Sequence, residues 1–390
     1  MNRLEHLDVM KGFALFMILL LHAYGSFGIY SSPTREFLSL GALDGAANHF
    51  INLFVRNKAF AIFSIMFGIS FFIQLERSKF KDINFLGFFS WRLLILLGIG
   101  IVHAMIFRAD ILTKYAVVGF ILLLIYRLPI VALALISFLM LMQPGNVYHL
   151  LRIYTDAGYI PANYHQPELW AQVYEASRTG SFLQVVNANV NIAFWELWKL
   201  NITTGRITNI IGFFALGFLI GKSRLLENPQ KNMKVFYYIV ALSSVFYIAL
   251  RYFRNIMDGV SWVKPNAIPV FDTMITNYMN FYMVLIMLSV IVVLYHISIF
   301  KSLFDFLKPY GRMSLSSYVM QSVLGVFLFY GFGLGLHDFL GPFLSLVSAF
   351  LILTVLLVYA NLRFRTHKQG PLEALWKKLT YMPFAVRSEK

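Results

Sequence analysis

Residues 88–107 read FFSWRLLILLGIGIVHAMIF, twenty positions with one basic residue, Arg92, one histidine, His103, and no acid. A helix of that length rises about 30 Å, which matches the hydrocarbon thickness of a bilayer. The run is continuously apolar rather than alternating, so it does not read as a barrel strand. Lipid offers the backbone no hydrogen-bond partner, and a helix satisfies its own. The stretch therefore predicts a membrane-spanning helix.

Nine more apolar runs bounded by charges or turn residues repeat the pattern. With 88–107, they predict spans at 9–29, 57–75, 110–126, 129–143, 207–222, 234–251, 273–297, 312–334 and 342–361. The run at 129–143 is short and is also readable as re-entrant. The expected fold class is all-α: a polytopic integral membrane helix bundle of about ten transmembrane helices. The chain divides into a five-span part at 1–143, an extracytoplasmic segment at 144–206, a second five-span part at 207–362 and a basic tail at 363–390. Trp170, Trp195 and Trp198 in the 144–206 segment suit amphipathic helices lying at the interface.

Composition agrees. Hydrophobic residues make up 59% of the 390 and charged ones 13%, against about 25% charged in soluble domains. That balance excludes a soluble globular enzyme, a disordered chain and a fibrous repeat. The net charge of +15 reads as positive-inside loops, with no nucleic acid among the implied partners. With both termini in the cytoplasm, the inside receives 21 basic and 8 acidic residues and the outside 12 and 10, which accounts for all 33 and 18. This points to a multi-pass membrane protein with both termini in the cytoplasm. Cysteine is absent, which excludes disulfides, thiolate metal sites and a cysteine nucleophile. Arg3 followed by the apolar run from Gly12 resembles a signal peptide, but Glu5 and Asp8 spoil its basic start, and the run reads as a retained first span.

Ionisable groups inside the spans carry the chemistry. In the first, Lys11 and His22 are eleven residues apart, about 20° beyond three full helical turns, so they share a face about 16 Å apart. Asp8 lies one turn before Lys11 and can pair with it. Arg92 and His103 repeat the spacing in the third span. Snorkelling to headgroups accounts equally well for the two cations. A histidine at that depth usually faces protein or a wet cavity. Asp110 follows in the tight turn after His103. It suits either the orientation of a histidine base or the N-cap of the next helix. Arg56 and Lys58 open the second span on the outer side and suit an anionic group there, or snorkel. After Arg312 in the ninth span, Ser314, Ser317 or Tyr318, and Gln321 form a polar stripe suited to packing or to substrate, and Tyr115 follows Lys114 in the fourth. Gly331, Gly333 and Gly335 form no phosphate loop, since no strand precedes them. No zinc or serine-hydrolase motif occurs, so no metal is expected.

Leu7–Leu21, Lys58–Gln74, Arg92–Tyr115, Gly311–Leu336 and Gly370–Tyr381, with the strings FYGFGLGL and QGPLEALWKKLTY, resemble the YeiB-like family of bacterial membrane proteins. The C-terminal part of that family is domain of unknown function 418. The resemblance implies a multi-span protein of the bacterial cytoplasmic (inner) membrane, of mostly unassigned activity. The family is distantly similar to transmembrane acyltransferases, which use acyl-coenzyme A and carry a basic residue, ten residues and a histidine on the first span. Here Lys11 stands where arginine is more usual, which weakens bidentate phosphate contact. YeiB-like proteins often carry Asn in the place of His22, and a histidine in the place of His103 looks typical of them.

The resulting expectation is an acyltransferase. Acyl-CoA from the cytoplasm is the donor, Lys11, Arg92 and Asp8 form its binding end, and His103 or His22 is the base, with Asp110 orienting. An acceptor hydroxyl or amine meets Arg56, Lys58, Tyr115, Arg312, Tyr318 and Gln321. The alternatives are a transporter or exporter using the same buried groups, and a membrane scaffold. The partners expected are membrane lipids, acyl-CoA and an acceptor of unidentified structure, with a homodimer left open.

Overall fold

The structure is a computed structural model and describes residues 5–25, 27, 29, 40–79, 84–156, 158–161, 166–260 and 262–385. Arg3 and Lys81, two of the cations assigned to the inner face, lie outside the described residues, as do 386–390. Eighteen α-helices occur among the described residues: α1 Glu5–Tyr24, α2 Ala42–Phe50, α3 Ala59–Lys79, α4 Phe85–Ile106, α5 Leu112–Ile125, α6 Ile130–Leu141, α7 Pro144–Thr155, α8 Pro167–Thr179, α9 Phe182–Ala188, α10 Phe194–Thr203, α11 Arg206–Lys222, α12 Met233–Ile256, α13 Ile268–Tyr295, α14 Ser298–Asp305, α15 Lys308–Arg312, α16 Ser314–Phe329, α17 Pro342–Thr366 and α18 Pro371–Ala385.

Each of the ten apolar runs falls on a helix, but not all are long enough to cross a bilayer. Among the described residues six are: Glu5–Tyr24, Ala42–Lys79, Phe85–Ile106, Pro229–Ile256, Pro265–Tyr295 and Pro342–Thr366. Two helix pairs, bent by 51° between α6 and α7 and by 70° between α9–α10 and α11, raise the number to eight if each pair is one span. The expected ten are reduced by α5 and α16. Their 14 and 16 residues rise only about 21–24 Å. Asp110 starts α5 late. Met313, at φ −109° and ψ 46°, breaks α15 from α16, and α16 ends at Phe329 before the glycine-rich segment. Both short helices are mostly buried, with exposed residues at Val117 and Leu124 on α5 and at Val323 and Phe327 on α16.

The packing that positions the site is tight at two helix crossings. Gly12 on α1 and Gly311 on α15 each abut the other helix's backbone, so a Cβ at either would overlap Leu307 or Asp8. Gly100 on α4 admits the first turn of α5, where a Cβ would lie 2.7 Å from the Thr113 nitrogen.

The described part of the basic 363–390 segment holds the end of α17 and all of α18. Helix α18 docks on α4 and α16, with Trp91 Nε1 donating to the Leu379 carbonyl at 3.0 Å and Trp376 Nε1 to the Arg92 carbonyl at 2.9 Å. The 144–206 segment folds as α7–α10. Its α9 and the π-helical turn Asn189–Ala193 pack over the opposite end of α4, where Asn189 Nδ2 donates to the Met105 carbonyl at 3.0 Å. Trp170 is buried there with Val173 and Ala193, whereas Trp195 is exposed.

Candidate functional site

His103 lies in the last turn of α4, and Asp110 stands two residues before the start of α5. The chain reversal between them brings His103 Nδ1 and Asp110 Oδ1 to 2.7 Å, with both side chains only 1% exposed. Asp110 also accepts from the Leu112 nitrogen at 3.1 Å and the Thr113 nitrogen at 2.8 Å. It therefore both caps α5 and fixes the imidazole, and the two roles suggested by the sequence coexist. Lys114 Nζ donates to the Asp110 carbonyl at 2.7 Å. With Nδ1 held by the carboxylate, His103 Nε2 is the nitrogen left for other chemistry, and it is buried without a partner among the described residues. This is the orientation a histidine base requires.

Tyr318 closes the space beside it. Its ring lies 4.9 Å from the His103 ring, centroid to centroid. Its hydroxyl accepts from the Ile111 nitrogen at 3.2 Å and donates to the Ala109 carbonyl at 3.4 Å. On the far side, Arg108 donates to Ser177 Oγ at 2.9 Å, and Gly331 N donates to the Ser177 carbonyl at 3.0 Å. The His103 end of the hairpin is thus covered by α8 and the loop after α16.

On the other side of Tyr318 lies a cavity of about 840 Å³ between α1, α3, α4, α16 and α18. Its mouth, at the α18 end, carries Lys11, Arg77, Arg92, Arg312, Lys368 and Lys377, against Asp8 and Glu373. Its depth is apolar, running past Phe63, Phe67, Leu93 and Leu96 to Leu112, Tyr115 and Tyr318. The Arg92 guanidinium stacks 3.6 Å over the Trp376 ring. Glu373 anchors this wall. Its Oε1 accepts from the Leu315 and Ser316 nitrogens at 2.7 and 3.1 Å, and its Oε2 accepts from Ser316 Oγ. A carboxylate from α18 therefore caps the N-terminus of α16, where the helix dipole favours it. At the foot of α1, burial disfavours the Lys308 charge, but hydrogen bonds to Glu5 at 2.9 Å and to Asp305 outweigh it. They hold its ammonium above the ordinary lysine range.

The two stripes read from the sequence face one space at one end. Lys11, Asp8 and Arg92 all line the cavity, with Arg312, Tyr115 and Tyr318. At the other end both histidines pack on Phe107, His22 at 4.8 Å and His103 at 6.0 Å between centroids. Neither imidazole lines the cavity. Among the described residues His22 has no carboxylate beside it and its Nδ1 has no partner.

Three other candidates stand apart from this group. Arg56 lies 5.9 Å from the Tyr24 ring. Lys58 is buried and donates to the Asn52 carbonyl at 2.8 Å, closing the π-helical turn Ile51–Val55. Gln321 is buried with its Oε1 accepting from the Tyr310 hydroxyl at 2.6 Å. Tyr115 reaches the cavity with its ring, but its hydroxyl is bound by Ser64 Oγ at 2.6 Å and the Phe60 carbonyl at 2.9 Å. Sequence reasoning missed Glu373 and Trp376. Their only signal was the QGPLEALWKKLTY string, whose Glu and Trp interrupt an otherwise basic segment.

Residues 220–383 match the model of the family described as protein of unknown function (DUF418). This region covers the Gly311–Leu336 and Gly370–Tyr381 resemblances, and so includes α16 and α18. Two relatives extend over nearly the whole chain. The uncharacterized protein YxaH of Bacillus subtilis (strain 168) is 25% identical over 410 residues, covering 100% of this chain and 97% of its own. An uncharacterized 39.9 kDa protein in the amylase 3' region of Bacillus acidopullulyticus is 22% identical over 399 residues, covering 97% and 94%.

Proposed function

We propose that this chain is a membrane-embedded acyltransferase of the bacterial cytoplasmic membrane, with α18 on the cytoplasmic side. One observation carries the reading: a basic-mouthed, apolar cavity ends one aromatic ring short of a buried His–Asp pair whose second imidazole nitrogen is uncommitted. The cations at the mouth suit the phosphates of acyl-CoA. The apolar depth suits its pantetheine arm and acyl chain.

In the reaction, movement of the Tyr318 ring joins the cavity to His103. His103 Nε2 takes the proton of an acceptor hydroxyl or amine as that group attacks the thioester carbonyl. The carbon–sulfur bond breaks, and the coenzyme A thiolate leaves and receives the proton from the imidazolium. Asp110 holds the imidazole in the required tautomer and stabilises its cation. Of the two histidines, His103 is assigned as the base because it alone has the carboxylate.

The test is acyl-CoA thioester cleavage by purified protein in nanodiscs. His103→Gln should lower turnover about 10²–10⁴-fold while leaving thermal stability close to wild type. Arg92→Gln should raise KM more than it lowers kcat. Wild-type protein that neither cleaves nor is stabilised by acyl-CoA, but carries a proton-coupled substrate flux lost in His103→Gln, would replace this reading with transport.

A further inference from the structure

The face of α3 that borders the 840 Å³ cavity changes chemistry along its length. Phe63, Phe67, Ser70, Gln74 and Arg77 follow one another at alternating steps of four and three residues, which places them on one helical stripe. All five line the cavity. Each keeps accessible surface: the first four are half-buried and Arg77 is exposed. On the opposite face Ile62, Ile65, Ile69 and Phe72 are buried, with the Ile65 backbone against Gly217 of α11. The open face of α3 is therefore the one that meets the cavity. From the mouth inwards it offers a guanidinium, an amide, a hydroxyl and then two aromatic rings.

A purely apolar slot has no need of the amide and the hydroxyl. From α4 the lining inside Arg92 is Leu93 and Leu96, so α3 supplies the polar groups of this middle depth. Ligand pockets combine apolar walls with a few placed polar groups that fix the ligand's orientation. Gln74 Nε2 donates to the Ser70 carbonyl at 3.2 Å, the long end of the N–H···O range. A ligand amide would exchange for a weak bond within the helix. By helical rise Gln74 lies about 4.5 Å inside Arg77, and Ser70 about 6 Å further in.

We propose that Ser70 and Gln74 select the donor by its arm, each hydrogen-bonding one of the two amides of a pantetheine chain. The inference rests on the acyl-transfer reading and names the part of the donor that this wall recognises. A β-alanyl unit separates the two amides of pantetheine, a spacing of about 5 Å, one extended residue plus a methylene. The rise of about 6 Å between Gln74 and Ser70 matches it. An amide both donates and accepts, and so do the Gln74 side chain and the Ser70 hydroxyl. The glycerol esters of a phospholipid only accept. With the arm so placed, the phosphates meet the cations of the mouth. The sulfur end then lies towards Phe67, on the way to Tyr318.

The experiment measures two affinities by calorimetry, with full-length protein in nanodiscs. One ligand is coenzyme A, and the other is phosphoadenosine diphosphate, which is coenzyme A without its arm. Wild type should bind coenzyme A more tightly than the nucleotide. Ser70→Ala and Gln74→Leu should each weaken coenzyme A about three- to tenfold and leave the nucleotide unchanged, whereas Arg77→Gln should weaken both. A merely structural role of the stripe would not separate the two ligands. Three results overturn the inference: wild type binding both ligands equally, coenzyme A affinity unchanged in both Ser70→Ala and Gln74→Leu, or both ligands weakened alike in those variants. Each leaves the acyl-transfer reading standing, because turnover in His103→Gln tests that separately. No binding of coenzyme A by wild type overturns both.

Discussion

Asp110→Ala removes one side chain that does two things, and the structure allows each to be weighed. It deprives the Leu112 and Thr113 nitrogens of their acceptor. Loss of an N-cap costs about 0.5–2 kcal/mol. It also strips His103 Nδ1 of its carboxylate in a site where both side chains are 1% exposed. A lost hydrogen bond to a charged group costs about 1.5–3 kcal/mol. Together these predict a destabilisation of about 2–5 kcal/mol. Asp110→Asn separates the contributions. Asn caps helices about as well as Asp, but it lacks the charge and has one acceptor oxygen instead of two. The expected order of stability is wild type, then Asp110→Asn, then Asp110→Ala. Reversible unfolding by denaturing detergent, followed by far-ultraviolet circular dichroism, would measure it. Asp110→Ala within about 0.5 kcal/mol of wild type, the range of a neutral surface change, would refute the reasoning. So would Asp110→Asn matching Asp110→Ala, because the charge of the carboxylate beside the histidine would then contribute nothing.

Further predictions follow from the same packing. Gly100→Ala should destabilise by about 1–3 kcal/mol through overpacking, because its Cβ would lie 2.7 Å from the Thr113 nitrogen. Gly98→Ala, two residues earlier with nothing within 4 Å, should be neutral or stabilising by up to about 1 kcal/mol; equal effects at both positions would contradict the crossing. Glu373→Ala should free α18, and trypsin should then cut after Lys368 several-fold faster than in wild type, whereas an unchanged cutting rate would contradict the docking. Reporter fusions after Lys390 and at Gly145 should fall on opposite sides of the membrane, with the C-terminus inside; an external C-terminus reverses the orientation of the proposed donor route.

The helices were legible because burial in lipid leaves long uninterrupted apolar runs, and each such run became a helix. Their lengths were less legible. The run through 110–126 begins with a capping Asp that delays the helix, and the run through 312–334 is broken at Met313 and stopped before its glycines. The His103–Asp110 pair was readable because seven residues across a tight turn bring helix ends together. The docking of α18 was not readable. Glu373 meets Leu315 and Ser316 across 58 and 57 residues of chain, and a basic, weakly apolar segment carries no local sign of such a contact. The Lys58 contact was not legible either, because the Asn52 carbonyl that accepts from its Nζ belongs to a π-helical turn with no sequence signature. Lys11 and Arg92 both line the larger cavity, although the histidines eleven residues after them do not.

The most direct measurement is photolabelling of purified protein with an acyl-CoA carrying a diazirine in its acyl chain, mapped by mass spectrometry, together with lysine modification in the presence and absence of coenzyme A. The account predicts acyl labels at the inner end of the cavity, on Leu96, Leu112, Tyr115 or Tyr318, and protection of Lys11, Lys368 and Lys377 at its mouth. Labels confined to the exposed face of α12, at Leu242, Val245 or Ile248, with no lysine protected, would contradict it.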